Sequence, residues 1–182
     1  MKMMKFYAFD QHDPDLEQIG ELYCRTFIGE NYSLKDMENA LKNVKKHASY
    51  KGFKCLKAKS QTGNLVGFTY GYTSLPGQFY RGKIASQLPG RMTTEWLSDC
   101  FEFVELAVNS SYRRLGIASQ LHDKLLEDIN HNTSVLTTSE NNYPAIHFYQ
   151  KKGWQIIKNH AAVLSKDDPQ VIMGKHLVKS KA

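Results

Sequence analysis

The stretch FEFVELAVNSSYRRLGIASQLHDKLL, residues Phe101 to Leu126, decides how the rest of the chain is read. Its first eight residues, Phe101 to Val108, are the most strand-like run in the sequence. Beyond them Leu115, Ala118, Leu121, Leu125 and Ile129 recur at helical spacing. Arg113 and Arg114 stand at the junction, where positive charge adds unfavourably to the positive end of a helix dipole. Something negative is therefore expected there. A helix N-terminus offers unpaired N–H groups, and successive amides in a turn form a nest for anions. Gly116 lets a ligand approach the backbone, Ala118 keeps the next position small, and the guanidinium groups supply charged forks for phosphate oxygens. A diphosphate-bearing ligand fits this turn; the competing reading is an ordinary helix whose arginines reach into solvent. The spacings GxxxxGK[ST] and GxGxxG are absent, which removes the usual nucleoside triphosphate and dinucleotide readings.

Outward from this stretch the elements alternate. Met3 to Phe9 is expected as a short strand. Helices follow over Asp15 to Ile28, with Leu16, Ile19, Leu22, Tyr23 and Phe27 as its stripe and Asp13 or Asp15 near its start, and over Leu34 to Ala48, with Leu34, Met37, Leu41, Val44 and Ala48. Phe53 to Lys59 and Leu65 to Thr73 read as a hairpin around Ser60 to Asn64. Ser74 to Arg91 is the least regular part, long enough to be functional or to hide an element, and Thr93 to Cys100 reads as a short helix. After the central stretch come a strand over Thr133 to Thr138, a helix over Pro144 to Lys152 closed by Gly153, and strands over Trp154 to Leu164 and Val171 to Val178. The order is mixed α/β with parallel neighbours in the middle.

The 182 residues fit one domain, 1–182, and 41% hydrophobic residues suffice for a core. The net charge of +6 is scattered, so it biases the chain towards anionic partners without marking a nucleic-acid face. Lys42, Lys45 and Lys46 read as the wet side of a helix. Cys24, Cys55 and Cys100 are an odd, widely spaced set, expected as idle thiols in a cytoplasmic protein. Neither a secretory core at the N-terminus nor an apolar run of membrane-spanning length is visible. The seven histidines show no metal-ligand spacing, and no metal is expected.

The run Val104 to Val108, followed by Arg113, Gly116 and Ala118, resembles the acetyl-coenzyme A signature Q/R-x-x-G-x-G/A of the Gcn5-related N-acetyltransferases (GNAT). A second block, Asn142, Ala145, Ile146, Phe148, Tyr149, Gly153 and Trp154, is similar to the family's later N-x-x-A-x-x-x-Y-x-x-x-G-F motif. The resemblance implies a mostly antiparallel twisted sheet with helices on both faces, splayed between its fourth and fifth strands, where acetyl-CoA enters. It implies backbone pairing of the pantetheine arm around Leu106, Ala107 and Val108. It puts the diphosphate on Arg113, Arg114, Leu115, Gly116, Ile117, Ala118 and Ser119, and Asn142 on the arm. Two departures stand out: Arg114 where many members have glycine, and Ser110-Ser111 where proline is common. Because arginine disfavours positive φ, an ordinary backbone angle is expected at Arg114.

Acetyl transfer to an amine needs an uncharged nitrogen, a stabilised oxyanion and a proton for the departing thiolate. The resemblance makes Tyr149 the proton donor and Glu105 the base, with an amide near Val108 facing the oxyanion. On an ideal strand Glu105 shares a face with Phe101, Phe103 and Ala107, so desolvation should raise its pKa. Glu102, on the other face, is the reserve. Tyr32, Tyr80, Glu95, Trp96 and Asp99 are candidates for receiving a cationic amine, the aromatics by cation–π contact and the carboxylates by charge. The function expected is direct acetyl transfer to the primary amine of a small molecule. A protein amine and a non-catalytic acetyl-CoA sensor are the alternatives. A homodimer through Ala161 to Leu164 and Val171 to Met173 competes with use of the same residues to close a monomer's core.

Overall fold

The structure, a computed structural model, describes residues 3–179, which fall into two compact units. The first comprises the chain up to Tyr72 together with Val104–Glu127; the second comprises Thr73–Phe103 and the residues from Asp128 onward.

In the first unit the strands are β1 (Lys5–Tyr7), β2 (Lys54–Lys59), β3 (Leu65–Thr73, up to Tyr72) and the second half of β4 (Cys100–Val108), hydrogen-bonded in that order. β1 and β3 both run antiparallel to β2, with Phe6 opposite Ala58 and Leu56 opposite Thr69. Leu65 to Tyr72 is buried throughout, as expected for a strand covered on both faces. One cluster joins β2 and β3 to α1 (Leu16–Phe27) and α2 (Leu34–Ala48) through Ile19, Leu22, Val44, Phe68 and Tyr70. A second sets Ala58 and Val66 against Ile117 and Leu121 of α5 (Ile117–Leu126). Gly67 is the close-approach position: a Cβ there would stand 3.0 Å from the Ala107 carbonyl oxygen and 3.1 Å from Leu121.

Asp15 stands at the N-cap of α1, near the helix start as expected, and its carboxylate is paired with the Lys57 and Lys59 ammonium groups at 2.8 and 2.7 Å rather than with a helix amide. Two local expectations are corrected. Leu34 is exposed at the very start of α2, whose buried residues are Ala40, Val44 and His47; His47 Nδ1 lies 2.9 Å from the Tyr70 hydroxyl. Leu115 is exposed because it belongs to the turn before α5, and Ile117 takes its place in the core; Ile129 lies beyond the helix end.

In the second unit the first half of β4 pairs in parallel with β5 (Thr133–Ser139), from Cys100 opposite Thr133 to Glu102 opposite Val135. β5 is antiparallel to β7 (Gln170–His176) along its whole length, and β7 to β6 (Gln155–Ala161). The segment with no clear periodicity holds α3 (Phe79–Gln87), followed by α4 (Gly90–Leu97). Ile84, Leu88, Trp96 and Leu97 from these helices pack on Val135, Ala161, Val163 and Ile172. The apolar residues of the last two strands thus fill this unit's own core, with Leu164 left exposed. α6 (Tyr143–Lys151) carries Pro144 in its first turn, where the missing N–H has no cost. Among the described residues no helix is long and apolar enough to cross a membrane.

Candidate active site

The turn between β4 and α5 is built by local hydrogen bonds. Asn109 accepts the Ser111 amide on its side chain at 2.9 Å and the Tyr112 amide on its carbonyl at 2.8 Å, making a single 3-10 turn over Ser110–Tyr112. Arg113 is extended. Arg114 then has φ +63° and Gly116 φ +76°, so two left-handed residues flank Leu115. The ordinary angle expected at Arg114 is therefore wrong. The chain must reverse within a few residues to enter α5, and a left-handed arginine costs about 1–2 kcal/mol, bearable where its side chain is exposed.

Gly116 has no side chain with which to cap α5, and no acidic residue stands in the first turn. The first helical hydrogen bond is donated by Gln120 to the Gly116 carbonyl at 3.1 Å, leaving the amides of Ile117, Ala118 and Ser119 as the helix's open donors. Nothing lies within 4 Å of where a Cβ on Gly116 would be, so the chain is open on that side of the glycine. Arg113 and Arg114 are exposed beside it. A pocket of about 290 Å³ adjoins the turn, lined by Arg25 and Glu30 from the region of α1, by Val108 and Asn109, and by Arg113. Sequence reasoning missed the Arg25–Glu30 wall, because nothing in the spacing links the end of α1 to this turn.

On β4, Ala107 is buried, while Leu106 and Val108 are partly buried beside Ile117 and Leu121. The Glu105 carbonyl accepts the Thr69 hydroxyl at 2.7 Å. Burial alone pushes the Glu105 carboxyl up to about 8, the direction expected for a base working near neutrality. Glu102, in the second unit, is 4% exposed and its Oε2 has no hydrogen-bond partner among the described residues. Burial pushes it up to about 8 as well, against the pull of the Arg81 guanidinium.

Also in the second unit, Tyr149 of α6 is nearly buried, with its ring edge-on to Phe103 at 5.8 Å and to Trp154 at 5.7 Å. Asn142 caps α6, accepting the Ala145 amide at 3.3 Å, and stays exposed. Within the second unit, Asp99 and Trp96 are engaged by other groups. α4 ends at Leu97, so Asp99 does not share a helical face with Glu95; instead it is bonded to His131 at 2.7 Å. Trp96 is 2% exposed, tilted 34° against the His176 ring at 4.5 Å and tight against Gly174, so its face is unavailable for a cation. Glu95 is exposed, Tyr80 half-buried on α3, and Tyr32 half-buried in the α1–α2 connection of the first unit. The spacing of Tyr80, Ile84 and Leu88 was the available signal for α3. The three cysteines are free and buried, and burial pushes the Cys55 and Cys100 thiols up to about 11 and about 12. No group of three metal-ligating side chains occurs among the described residues.

A family model described as the acetyltransferase (GNAT) family matches residues 16–154. No curated protein matches the chain. Among solved structures, aminoglycoside 6'-acetyltransferase type Ii is similar with a TM-score of 0.67 at 20% identity, the match covering 97% of this chain and 99% of that one. Spermidine/spermine N-acetyltransferase SpeG from Vibrio cholerae gives 0.60 at 16% identity over 95% and 92%. NAA60 from Arabidopsis thaliana, solved with a bisubstrate analogue, gives 0.67 at 16% identity over 98% and 100%. At these identities the likeness is one of fold.

Proposed function

Because the chain belongs to the acetyltransferase (GNAT) family and is with it an acetyl-CoA-dependent N-acetyltransferase, we propose that it acetylates the primary amine of a small molecule by direct attack in a ternary complex. The observation that carries the cofactor's place in this reading is the uncapped, acid-free start of α5 under two exposed arginines. The donor set and the adjacent guanidinium groups both suit a diphosphate. Arg113, Arg114 and the amides from Ile117 to Ser119 are the groups to hold it, with the backbone of Leu106 to Val108 and the Asn142 amide for the arm. When bound, acetyl-CoA supplies an acetyl group as a thioester.

The remaining chemistry falls to side chains. Glu105 accepts a proton from the acceptor's ammonium group, leaving a nucleophilic amine; a carboxyl near 8 is a far better match for that exchange than an ordinary one. Tyr149 holds a proton on Oη for the departing thiolate. Glu102 shares the desolvated character of Glu105 and is the alternative base. Of the residues expected to receive the acceptor, Tyr80 and Glu95 of the second unit and, separately, Tyr32 of the first keep an accessible side chain; a small-molecule acceptor is in keeping with the names of two similar structures, an aminoglycoside and a spermidine/spermine acetyltransferase. The test is thiol release from acetyl-CoA across a panel of small amines and peptides. Release with a small amine supports the reading; release with peptides alone contradicts it, and cofactor binding without release from any of them would make the chain a sensor.

A further inference from the structure

Three separate connections of the second unit bring a hydroxyl, an imidazole and a carboxylate into line. Thr73 ends β3, Asp99 lies between α4 and β4, and His131 lies just before β5. Thr73 Oγ1 is 3.1 Å from His131 Nε2, and His131 Nδ1 is 2.7 Å from Asp99 Oδ1. The other carboxylate oxygen accepts the Asn132 amide at 3.2 Å and has the Lys179 ammonium 3.7 Å away. Hydrogen bonding to His131 holds the Asp99 carboxyl below its ordinary range, so it is ionised near neutral pH. An ionised carboxylate only accepts, which assigns the hydrogen of a neutral imidazole to Nδ1 and the lone pair to Nε2. The Thr73 hydroxyl then donates to Nε2. Stacking on Phe101, with ring centroids 6.4 Å apart, fixes the imidazole plane, and Gln78 Nε2 holds the Thr73 carbonyl at 3.0 Å. The histidine side chain is 21% exposed, so a reagent can reach the pair.

A hydroxyl, a base within hydrogen-bond reach and a group that orients the base form the arrangement that activates nucleophiles for acyl transfer. We propose that Thr73 is a second acyl-accepting site, independent of the coenzyme A reading, which takes an acyl group from an activated ester or thioester. The Oγ1–acyl carbon bond forms as the Thr73 proton passes to His131 Nε2; the bond to the leaving oxygen or sulfur breaks, and the leaving group takes that proton. Asp99 is a positioning residue. Nearby backbone donors are committed, Ser74 to the Cys100 carbonyl at 2.9 Å, Leu75 to Gln78 Oε1 at 2.9 Å and Asn132 to Asp99. These three amides are therefore not available to an oxyanion, which slows both formation and hydrolysis of the acyl-threonine, so acylation is expected as a slow single event that an activated ester makes visible.

The experiment is incubation of the full chain with p-nitrophenyl acetate, following p-nitrophenolate release and locating the acetyl group by peptide mass spectrometry. One equivalent released, with acetyl on Thr73, is the expected result. Thr73→Ser retains the label at that position. His131→Gln and Asp99→Asn, checked for unchanged circular dichroism, slow acylation of Thr73 at least tenfold. Arg113→Ala leaves it intact, which separates this site from the cofactor turn. Acetyl on lysines with Thr73 unmodified, or acylation of Thr73 at the same rate in His131→Gln, overturns the proposal.

Discussion

Two helices of the first unit begin in opposite ways. α2 opens with a complete capping box: Ser33 Oγ accepts the Asp36 amide at 3.1 Å and the Asp36 carboxylate accepts the Ser33 amide at 2.8 Å. Its N-terminal donors are used and a negative charge sits on the positive end of the dipole. α5 opens on a left-handed glycine, with no side-chain cap, no acid in the first turn and two arginines just before it. One start is finished by its own sequence, while the other is left without a side-chain cap or a neutralising acid, which is why we propose it as the diphosphate site. A local sequence that runs against helix stability is thus more informative about function than one that agrees with it.

Filling the open start should invert its behaviour. Ser119→Glu puts a carboxylate into the first turn of α5. It should raise stability by about 0.5 kcal/mol through the helix dipole while weakening acetyl-CoA binding about a hundredfold, read by thermal unfolding and by titration. Glu105→Gln should leave binding of acetyl-CoA unchanged and lower kcat about a hundredfold. In the parent, kcat should rise with pH up to about 8 as the Glu105 carboxyl loses its proton, and this limb should vanish in the variant. Glu102 gives a stability counterpart. Its folded-state affinity for a proton exceeds that of the unfolded chain, so the native state binds more protons between the ordinary value of 4.5 and about 8, and stability falls as pH rises through that window. Glu102→Gln should flatten that decline in Tm against pH. Ser33→Ala, at the finished start, should cost about 1 kcal/mol of stability and leave the affinity for acetyl-CoA untouched.

Residues whose environment is local were legible. The bounds of α2 and β3 were legible from the apolar stripe after Ser33 and the apolar run after Asn64, and the Gly116 turn announced itself by its conflict with the dipole. Arg114 was misread because a propensity was set against a turn whose geometry leaves no other choice. Trp96 and Asp99 were assigned to a pocket by chemical type, but whether an aromatic face or a carboxylate is free depends on contacts with Gly174, His176 and His131 that no spacing announces. Distance along the chain likewise hid the Thr73–His131–Asp99 line, drawn from three connections.

The measurement closest to the central claim is calorimetric titration of the chain and of Arg113→Ala with acetyl-CoA. About micromolar binding in the parent, weakened at least roughly tenfold in the variant by loss of one charge-assisted fork, is the predicted result. Absence of binding in the parent, or equal affinity in the two proteins, would contradict the assignment of the open start of α5 as the diphosphate site.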